Sequence, residues 1–113
     1  AERDLGRHPT EMARNNKGFD IRSIDADGRS YDLEVKGRIE GADTFTITSN
    51  EVGYAQTQGD RHRLVLVRVS DRGPDHDEVR YLTGALDHIE ASVTTLSFNE
   101  VWDDYWDRGE PPH

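Results

Sequence analysis

Residues 19–36 read FDIRSIDADGRSYDLEVK and decide the fold of this chain. Apolar and polar side chains alternate in 19–24 and again in 30–36, which is the pattern of half-buried β-strands. Between them, the residues DADG at 25–28 are typical of a type I turn followed by a glycine in the left-handed region. The sequence therefore predicts a β-hairpin.

The three-residue loop of this hairpin determines which residues face each other. Its register predicts two apolar pairs on one face, Phe19 with Val35 and Ile21 with Leu33. On the other face, Asp20 is expected across from Glu34. Arg22 is expected across from Asp32, and Lys36 follows on the same side. Because a shift by one residue would mix the two sets, the sequence specifies the register.

A helix and a buried strand follow the hairpin. Residues 44–48, TFTIT, predict a third strand, and the capping box at 48–51 starts a helix that runs to about Gly59. Residues 61–70 contain the apolar run LVLV, which is typical of a strand buried on both faces. Because this strand comes after a helix, a crossover connection is predicted.

The C-terminal part of the chain has weaker signals. It is predicted to contain a loop at 71–78, a strand at 79–83, a turn or short helix at 85–91, a further strand at 94–98 and a peripheral tail at 103–113. Trp102, Tyr105 and Trp106 share one helical face, which is expected to cap the core or to dock a neighbouring domain. The predicted fold class is mixed α/β (α+β), with an N-terminal hairpin, one crossover helix and flanking short helices.

Length and composition restrict the class of protein. The 113 residues suit one domain, 1–113, and the opening residues suggest a segment of a longer protein. Cysteine is absent, and no apolar run approaches the ~20 residues that span a bilayer, so a cytoplasmic protein without a membrane partner is expected. The net charge of −9 argues against a protein that coats DNA nonspecifically.

The polar face of the hairpin is the candidate site of chemistry. Asp20, Glu34 and Lys36, here called the triad, are expected to lie close enough to share a divalent ion. Mg²⁺ or Mn²⁺ prefers such oxygen ligands, and a lysine beside them would orient an attacking water or stabilise developing negative charge. The alternative is an ordinary set of cross-strand ion pairs, in which Arg22 and Lys36 neutralise their acidic neighbours.

Several strings in the sequence resemble one known family. They are NKGFDIRS at 16–23, DLEVKGR at 32–38, ITSNE at 47–51 with Ala55, RLVLVRV at 63–69 and LGRHPTEM at 5–12. Together they are similar to the domain family named for the C-terminal region of the plant protein NO VEIN. That family resembles the Mrr-like part of the PD-(D/E)XK nuclease superfamily, which has a restriction-endonuclease-like fold. Its members are attached to helicases, ATPases and restriction or antiviral defence proteins.

The resemblance implies a role for each triad residue. Asp20 and Glu34 would be the metal ligands, with the carbonyl of Val35 as a further ligand, and Lys36 would be the motif lysine. Phe19-Asp20 stands where the superfamily has Pro-Asp. The superfamily carries a supporting glutamate on an N-terminal helix, so either Glu2 or Glu11 takes that role here or the helix is truncated.

Two functions are expected from these observations. The first is a metal-dependent DNA endonuclease that hydrolyses phosphodiester bonds. The second is a catalytically inactive module of the same fold, which binds DNA or a protein partner and regulates an attached ATPase or helicase. A basic rim of Arg7, Lys17, Arg22 and Arg38 would favour DNA, and its absence would favour a protein partner.

Four further residues have two interpretations each. Asn50 and Glu51 either bind a phosphate or orient Lys36, or else form part of an ordinary helix cap. His62 and Arg63, at the start of the buried strand, are expected to face solvent, with contact to a DNA backbone as the alternative.

Overall fold

The computed structural model describes residues 1–12, 19–90 and 96–113, and its main feature is a five-stranded mixed sheet. The strands are β1 (His8–Glu11), β2 (Ile21–Ile24), β3 (Ser30–Ile39), β4 (Thr44–Thr48), β5 (His62–Val69), β6 (Glu78–Leu82) and β7 (Ser97–Val101), and the helices are α1 (Ser49–Gln58) and α2 (Trp102–Trp106). The sheet order is β1-β2-β3-β5-β6, and β4 pairs with β7 in a separate two-stranded sheet. None of the described helices is long and apolar enough to cross a membrane.

The predicted hairpin and its register are confirmed for the paired residues of β2 and β3. Ile21 lies across from Leu33, and Arg22 across from Asp32. In the turn, Oδ1 of Asp25 accepts hydrogen bonds from the backbone N–H groups of Asp27 and Arg29, both at 2.9 Å. Gly28 has φ 83°, the left-handed conformation that the turn sequence predicted.

The prediction for Phe19 is wrong. The ladder between β2 and β3 begins at Ile21, so Phe19 precedes it and is not held to the alternation of the strand. Its ring stacks on Tyr54 of α1 with centroids 5.0 Å apart, rather than joining Val35 on the apolar face. Burial against the helix decides its position, because the residue lies outside the paired segment.

The predicted helix and crossover are confirmed. The Thr48 side chain accepts from the N–H of Glu51, and the Glu51 carboxylate accepts from the N–H of Thr48, which completes the capping box at the start of α1. Gly59, with φ 60°, ends the helix. The chain then enters β5, which lies parallel to β3 at the centre of the sheet, with Leu64 and Leu66 almost fully buried.

The two faces of the sheet carry different cores. On the α1 side, Leu64 and Leu66 of β5 belong to the larger cluster, together with side chains of α1, β4 and α2. On the other side, Leu33, Val65 and Tyr81 form a smaller cluster. Since successive residues of a strand point to opposite faces, Asp32, Glu34 and Lys36 lie on the α1 side.

Beyond β5 the structure corrects two predictions. The strand expected at 94–98 is β7 at 97–101, and residues 91–95 lie outside the described part. The tail at 103–113 is not peripheral, because Tyr105 and Trp106 are buried in the larger core and Glu110 exchanges backbone hydrogen bonds with Tyr81.

The other predictions for this region are confirmed. Trp102, Tyr105 and Trp106 cap the core, as one of the two expected roles required. The strand predicted at 79–83 is β6, and turns occupy 85–88.

Candidate active site

The triad lies where the middle of β3 meets the first turn of α1. Glu34 and Lys36 project from β3 toward the helix, and Glu51 approaches them from the helix. Asp20 is in the segment just before β2, and its Oδ2 accepts a hydrogen bond of 2.9 Å from the N–H of Val35. The structure therefore brings the three predicted residues together and adds Glu51 as a fourth.

Lys36 is held between two glutamates. Its Nζ is 3.3 Å from Oε1 of Glu34 and 3.1 Å from Oε1 of Glu51. The same Glu51 carboxylate accepts from the backbone N–H of Thr48 at 2.8 Å, so the capping interpretation and the lysine-orienting interpretation both hold. Asn50 is exposed and makes no hydrogen bond to the triad within the part of the chain that is described.

The two glutamates share one proton. Burial is the largest cause that raises the pKa of Glu34, and a hydrogen bond to Glu51 and the negative charges of Glu51 and Asp20 act in the same direction. Against the opposing charge of Lys36, these effects raise the pKa of Glu34 to about 9. Burial also acts against ionisation of Glu51, but hydrogen bonds from Glu34 and the Thr48 backbone and the charge of Lys36 lower its pKa to about 2. Without a bound cation, Glu34 therefore carries the proton and Glu51 the negative charge.

Neither glutamate predicted to support the site reaches it. Glu2 is buried on the other face of the sheet, where its carboxylate accepts from the Tyr81 hydroxyl at 2.7 Å and pairs with Arg7 at 3.0 Å. Glu11 lies across from Ile21 in β1, and directly opposed residues share a face, so it also points away from Glu34. The reason is that residues 1–12 form a turn and an edge strand instead of a helix.

The predicted basic rim is only partly present. Arg7 is buried against Glu2 and over the Tyr31 ring, so its assignment to the rim is wrong. Arg22 and Arg38 lie on the face of the triad, Arg22 bound to Asp32 and Arg38 exposed two residues beyond Lys36. Lys17 lies outside the described residues.

Sequence reasoning missed a polar network beside the triad. The Tyr54 hydroxyl donates to Oδ2 of Asp32 at 2.6 Å, and Nε of Arg22 donates to Oδ1 of the same carboxylate at 3.0 Å. The Arg22 guanidinium also lies 4.8 Å from the centroid of the Phe19 ring, which in turn stacks on Tyr54. This network fixes the position of Phe19, the residue that precedes Asp20. The available signal was the spacing of three between Glu51 and Tyr54, which places both on one side of α1.

The expected solvent exposure of His62 and Arg63 is also wrong, since both are buried. His62 lies across from Asp32 on the α1 side, and Nε2 of its ring has no hydrogen-bond partner among the described residues. Burial lowers the pKa of His62 to about 4, and the charge of Asp32 opposes the shift.

The donor set of the triad suits a hard cation. Across the described residues, no group of three or more histidine, cysteine, aspartate or glutamate side chains is placed to hold a metal ion. Asp20 and Glu34 nevertheless supply two neighbouring carboxylates, and Mg²⁺ commonly binds through one or two carboxylates while water completes its coordination. The residues present therefore fit such an ion. The Val35 carbonyl stays a predicted ligand.

Comparison with known proteins identifies the class of fold. The Holliday junction resolvase Hjc of the archaeal hyperthermophile Archaeoglobus fulgidus has a similar structure, with a TM-score of 0.54 and 18% identity over 96% of this chain and 86% of that chain. The fold is restriction-endonuclease-like. Residues 1–82 match the family model described as the C-terminal region of the protein NO VEIN, so the chain belongs to that family. No curated protein matches the chain.

Proposed function

We propose that this domain is a metal-dependent DNA endonuclease that hydrolyses phosphodiester bonds and acts as part of a restriction, defence or helicase-associated protein. The observation that carries the proposal is the meeting of Asp20, Glu34 and Lys36 in one corner of the sheet, with Lys36 held at 3.3 Å and 3.1 Å from two glutamates. The nuclease-like fold and the family membership support it.

In this proposal Asp20 and Glu34 hold Mg²⁺ or Mn²⁺, with the Val35 carbonyl as a further ligand. When bound, the ion supplies Lewis acidity toward a phosphate oxygen and lowers the pKa of water. As a ligand, Glu34 would have to be ionised, since a carboxylate coordinates a cation in its ionised form. The hydrogen bond from the Val35 N–H keeps the Asp20 carboxylate beside the strand that carries Glu34.

Lys36 positions the attacking water and stabilises the charge that develops on the phosphate. Its side chain is about one-fifth exposed, so a substrate at the surface would meet the ammonium group directly. Glu51 holds the ammonium group from the helix, and because Glu51 is itself fixed by the capping box, Lys36 has little freedom to turn away. Glu51 is therefore a positioning residue for Lys36.

The inactive module is the second candidate, and one observation favours it. Neither Glu2 nor Glu11 lies on the face of the triad, so within the described residues the supporting glutamate of related nucleases has no counterpart in the N-terminal segment. A domain of this kind would bind DNA or a protein partner and regulate an attached ATPase or helicase without cutting.

A plasmid-nicking assay combined with calorimetry separates the two candidates. The chain is incubated with supercoiled DNA and Mg²⁺ or Mn²⁺, and Mn²⁺ binding is measured in parallel. Asp20→Ala is expected to abolish both, whereas Asp27→Ala, which removes an exposed aspartate of the hairpin turn, leaves both unchanged. Mn²⁺ binding without nicking would favour the inactive module. Absence of both would refute the metal site.

A further inference from the structure

A cavity lies at the end of the sheet where β3 and β5 begin. It has a volume of about 360 Å³ and is lined by Arg29, Tyr31, Asp60, Arg61, Arg63 and Thr83. Three arginine residues and one aspartate thus line one cavity of a chain whose net charge is −9. Such a local excess of positive charge calls for an anionic partner.

Arg63 is the buried member of this group. It is 9% exposed, and its guanidinium donates to the backbone carbonyls of Asp60, His62 and His113. Its other contact is with the Tyr31 ring, whose centroid lies 5.1 Å from the guanidinium. These bonds hold the Arg63 side chain at the wall of the cavity, where its positive charge adds to the charges of Arg29 and Arg61.

Arg29 and Arg61 supply the exposed part of the cavity wall. Both emerge from short, hydrogen-bonded segments: the N–H of Arg29 is bound to Asp25 at 2.9 Å, and Arg61 belongs to a 3₁₀ turn at 59–61. Among the described residues neither forms an ion pair with a carboxylate. Their side chains are therefore available to a ligand, and the backbone that carries them is fixed.

The cavity is distinct from the candidate active site. Arg63 lies across from Leu33 in the parallel ladder and so projects from the face opposite Glu34 and Lys36. A ligand in this cavity would not occupy the place of a scissile phosphate next to the triad. The proposed cleavage of DNA therefore does not account for this cavity.

We propose that this cavity binds the phosphate groups of a nucleotide or polynucleotide. Arginine is suited to this role because its planar fork of donors matches the oxygens of a phosphate. The cavity volume lies in the range of sites for small molecules, which is large enough for a nucleotide and larger than a single phosphate requires. The proposal does not depend on the proposed nuclease activity.

Binding of two probes to the whole chain tests the proposal and identifies the source of the phosphate. The probes are ATP and a fluorescent single-stranded oligodeoxynucleotide, each titrated in EDTA at low and at moderate salt concentration, so that no divalent ion contributes. The variant Arg29→Ala/Arg61→Ala removes two exposed side chains and leaves the buried Arg63 in place. The matched control is Arg3→Ala/Arg72→Ala, which removes the same charge from exposed positions elsewhere.

The affinity for at least one probe is expected to fall by about tenfold or more in the cavity variant and to change little in the control. Preference for ATP would identify a mononucleotide ligand, and preference for the oligonucleotide a polynucleotide. Failure of the unaltered chain to bind either probe would refute the proposal, as would an equal loss in the control. If oligonucleotide binding instead depends on Arg22 and Arg38 alone, the cavity proposal fails and the proposed nuclease function stands.

Discussion

The two faces of the main sheet accommodate buried charged side chains in different ways. On the α1 side, β3 buries Asp32 and Glu34, and a helix supplies Glu51 and Tyr54 to bind the charged groups. On the opposite side the strands bury mainly apolar residues, and one buried ion pair, Glu2 with Arg7, comes from the N-terminal segment.

The covering of the two faces differs as well. Helices and the second sheet pack over the α1 side, whereas the other side keeps a cavity of about 330 Å³ lined by apolar residues such as Leu33 and Val65. The capping box fixes the residue at which α1 begins, and the i, i+3 spacing places Glu51 and Tyr54 on one side of the helix. Together they set the positions of these two polar side chains. The candidate active site therefore lies on the side that the helices and the second sheet cover.

The largest expected effect is on packing. Leu64 and Leu33 are each 1% exposed, and they belong to the α1-side cluster and the opposite cluster, respectively. Leu64→Ala should lower the free energy of unfolding by about 4–5 kcal/mol, and Leu33→Ala by about 2–3 kcal/mol, because a face that already has a cavity relaxes more easily. Urea unfolding of both variants measures the difference. Equal losses would contradict the contrast between the two faces.

The next effect is the pH dependence of stability that His62 causes on the α1 side. His62 has an ordinary pKa of 6.5 and is buried with a pKa of about 4, so the unfolded chain takes up a proton that the folded chain resists. The stability that this group contributes is complete above pH 6.5 and is lost as the pH falls through 4, amounting to about 3 kcal/mol.

The difference in the free energy of unfolding between the unaltered chain and His62→Gln, measured from pH 7 to pH 4, should show this loss, because the opposite change that Glu34 contributes over this range is common to both proteins. His76→Gln, in an exposed loop, is the control and should leave the profile unchanged. An NMR titration in which the His62 ring takes up its proton near pH 6.5 would contradict the prediction.

Lys36→Ala tests the triad itself. It removes the group that we propose to position the water but leaves Asp20 and Glu34, so Mn²⁺ should still bind while the cleavage rate falls by about 100-fold. Arg72→Ala removes one exposed positive charge from the loop after β5 and should retain nearly full activity. If both variants cleave at the same rate, Lys36 has no part in the reaction.

On the α1 side, the sequence predicts the strands, the helix and the register better than the side-chain contacts between them. The hairpin register, the capping box and the central strand follow from local patterns, namely the DADG turn at 25–28, the spacing of Thr48 and Glu51, and the run at 64–67. The bond from Tyr54 to Asp32 joins residues 22 positions apart, and no periodicity reports it.

The errors lie at the ends of regular elements and of the chain. Phe19 stands outside the ladder, where alternation no longer applies, and the helix contact decides its position. The N-terminal segment is too polar to signal a strand, yet β1 forms because β2 offers it an edge. The tail at 103–113 is predicted to be peripheral, whereas burial of Tyr105 and Trp106 determines its position.

The smallest expected effect distinguishes the two glutamates that hold Lys36. Glu34 carries the proton in the folded chain, so Glu34→Gln replaces a neutral group by another neutral group of similar shape. Because the raised pKa of Glu34 gives stability that is complete below pH 4.5 and declines as the pH rises toward 9, this variant should be more stable than the unaltered chain at pH 7. Its advantage should grow up to pH 9.

Glu51→Gln should have the opposite sign. It removes the ionised carboxylate that pairs with Lys36 at 3.1 Å and accepts from the Thr48 N–H, so the free energy of unfolding should fall by about 1 kcal/mol. Chemical unfolding of both variants without metal at pH 5, 7 and 9 measures the two changes in the free energy of unfolding. A loss of stability in Glu34→Gln that exceeds the loss in Glu51→Gln would place the proton on Glu51 instead, and Glu34 would then be the carboxylate that holds Lys36.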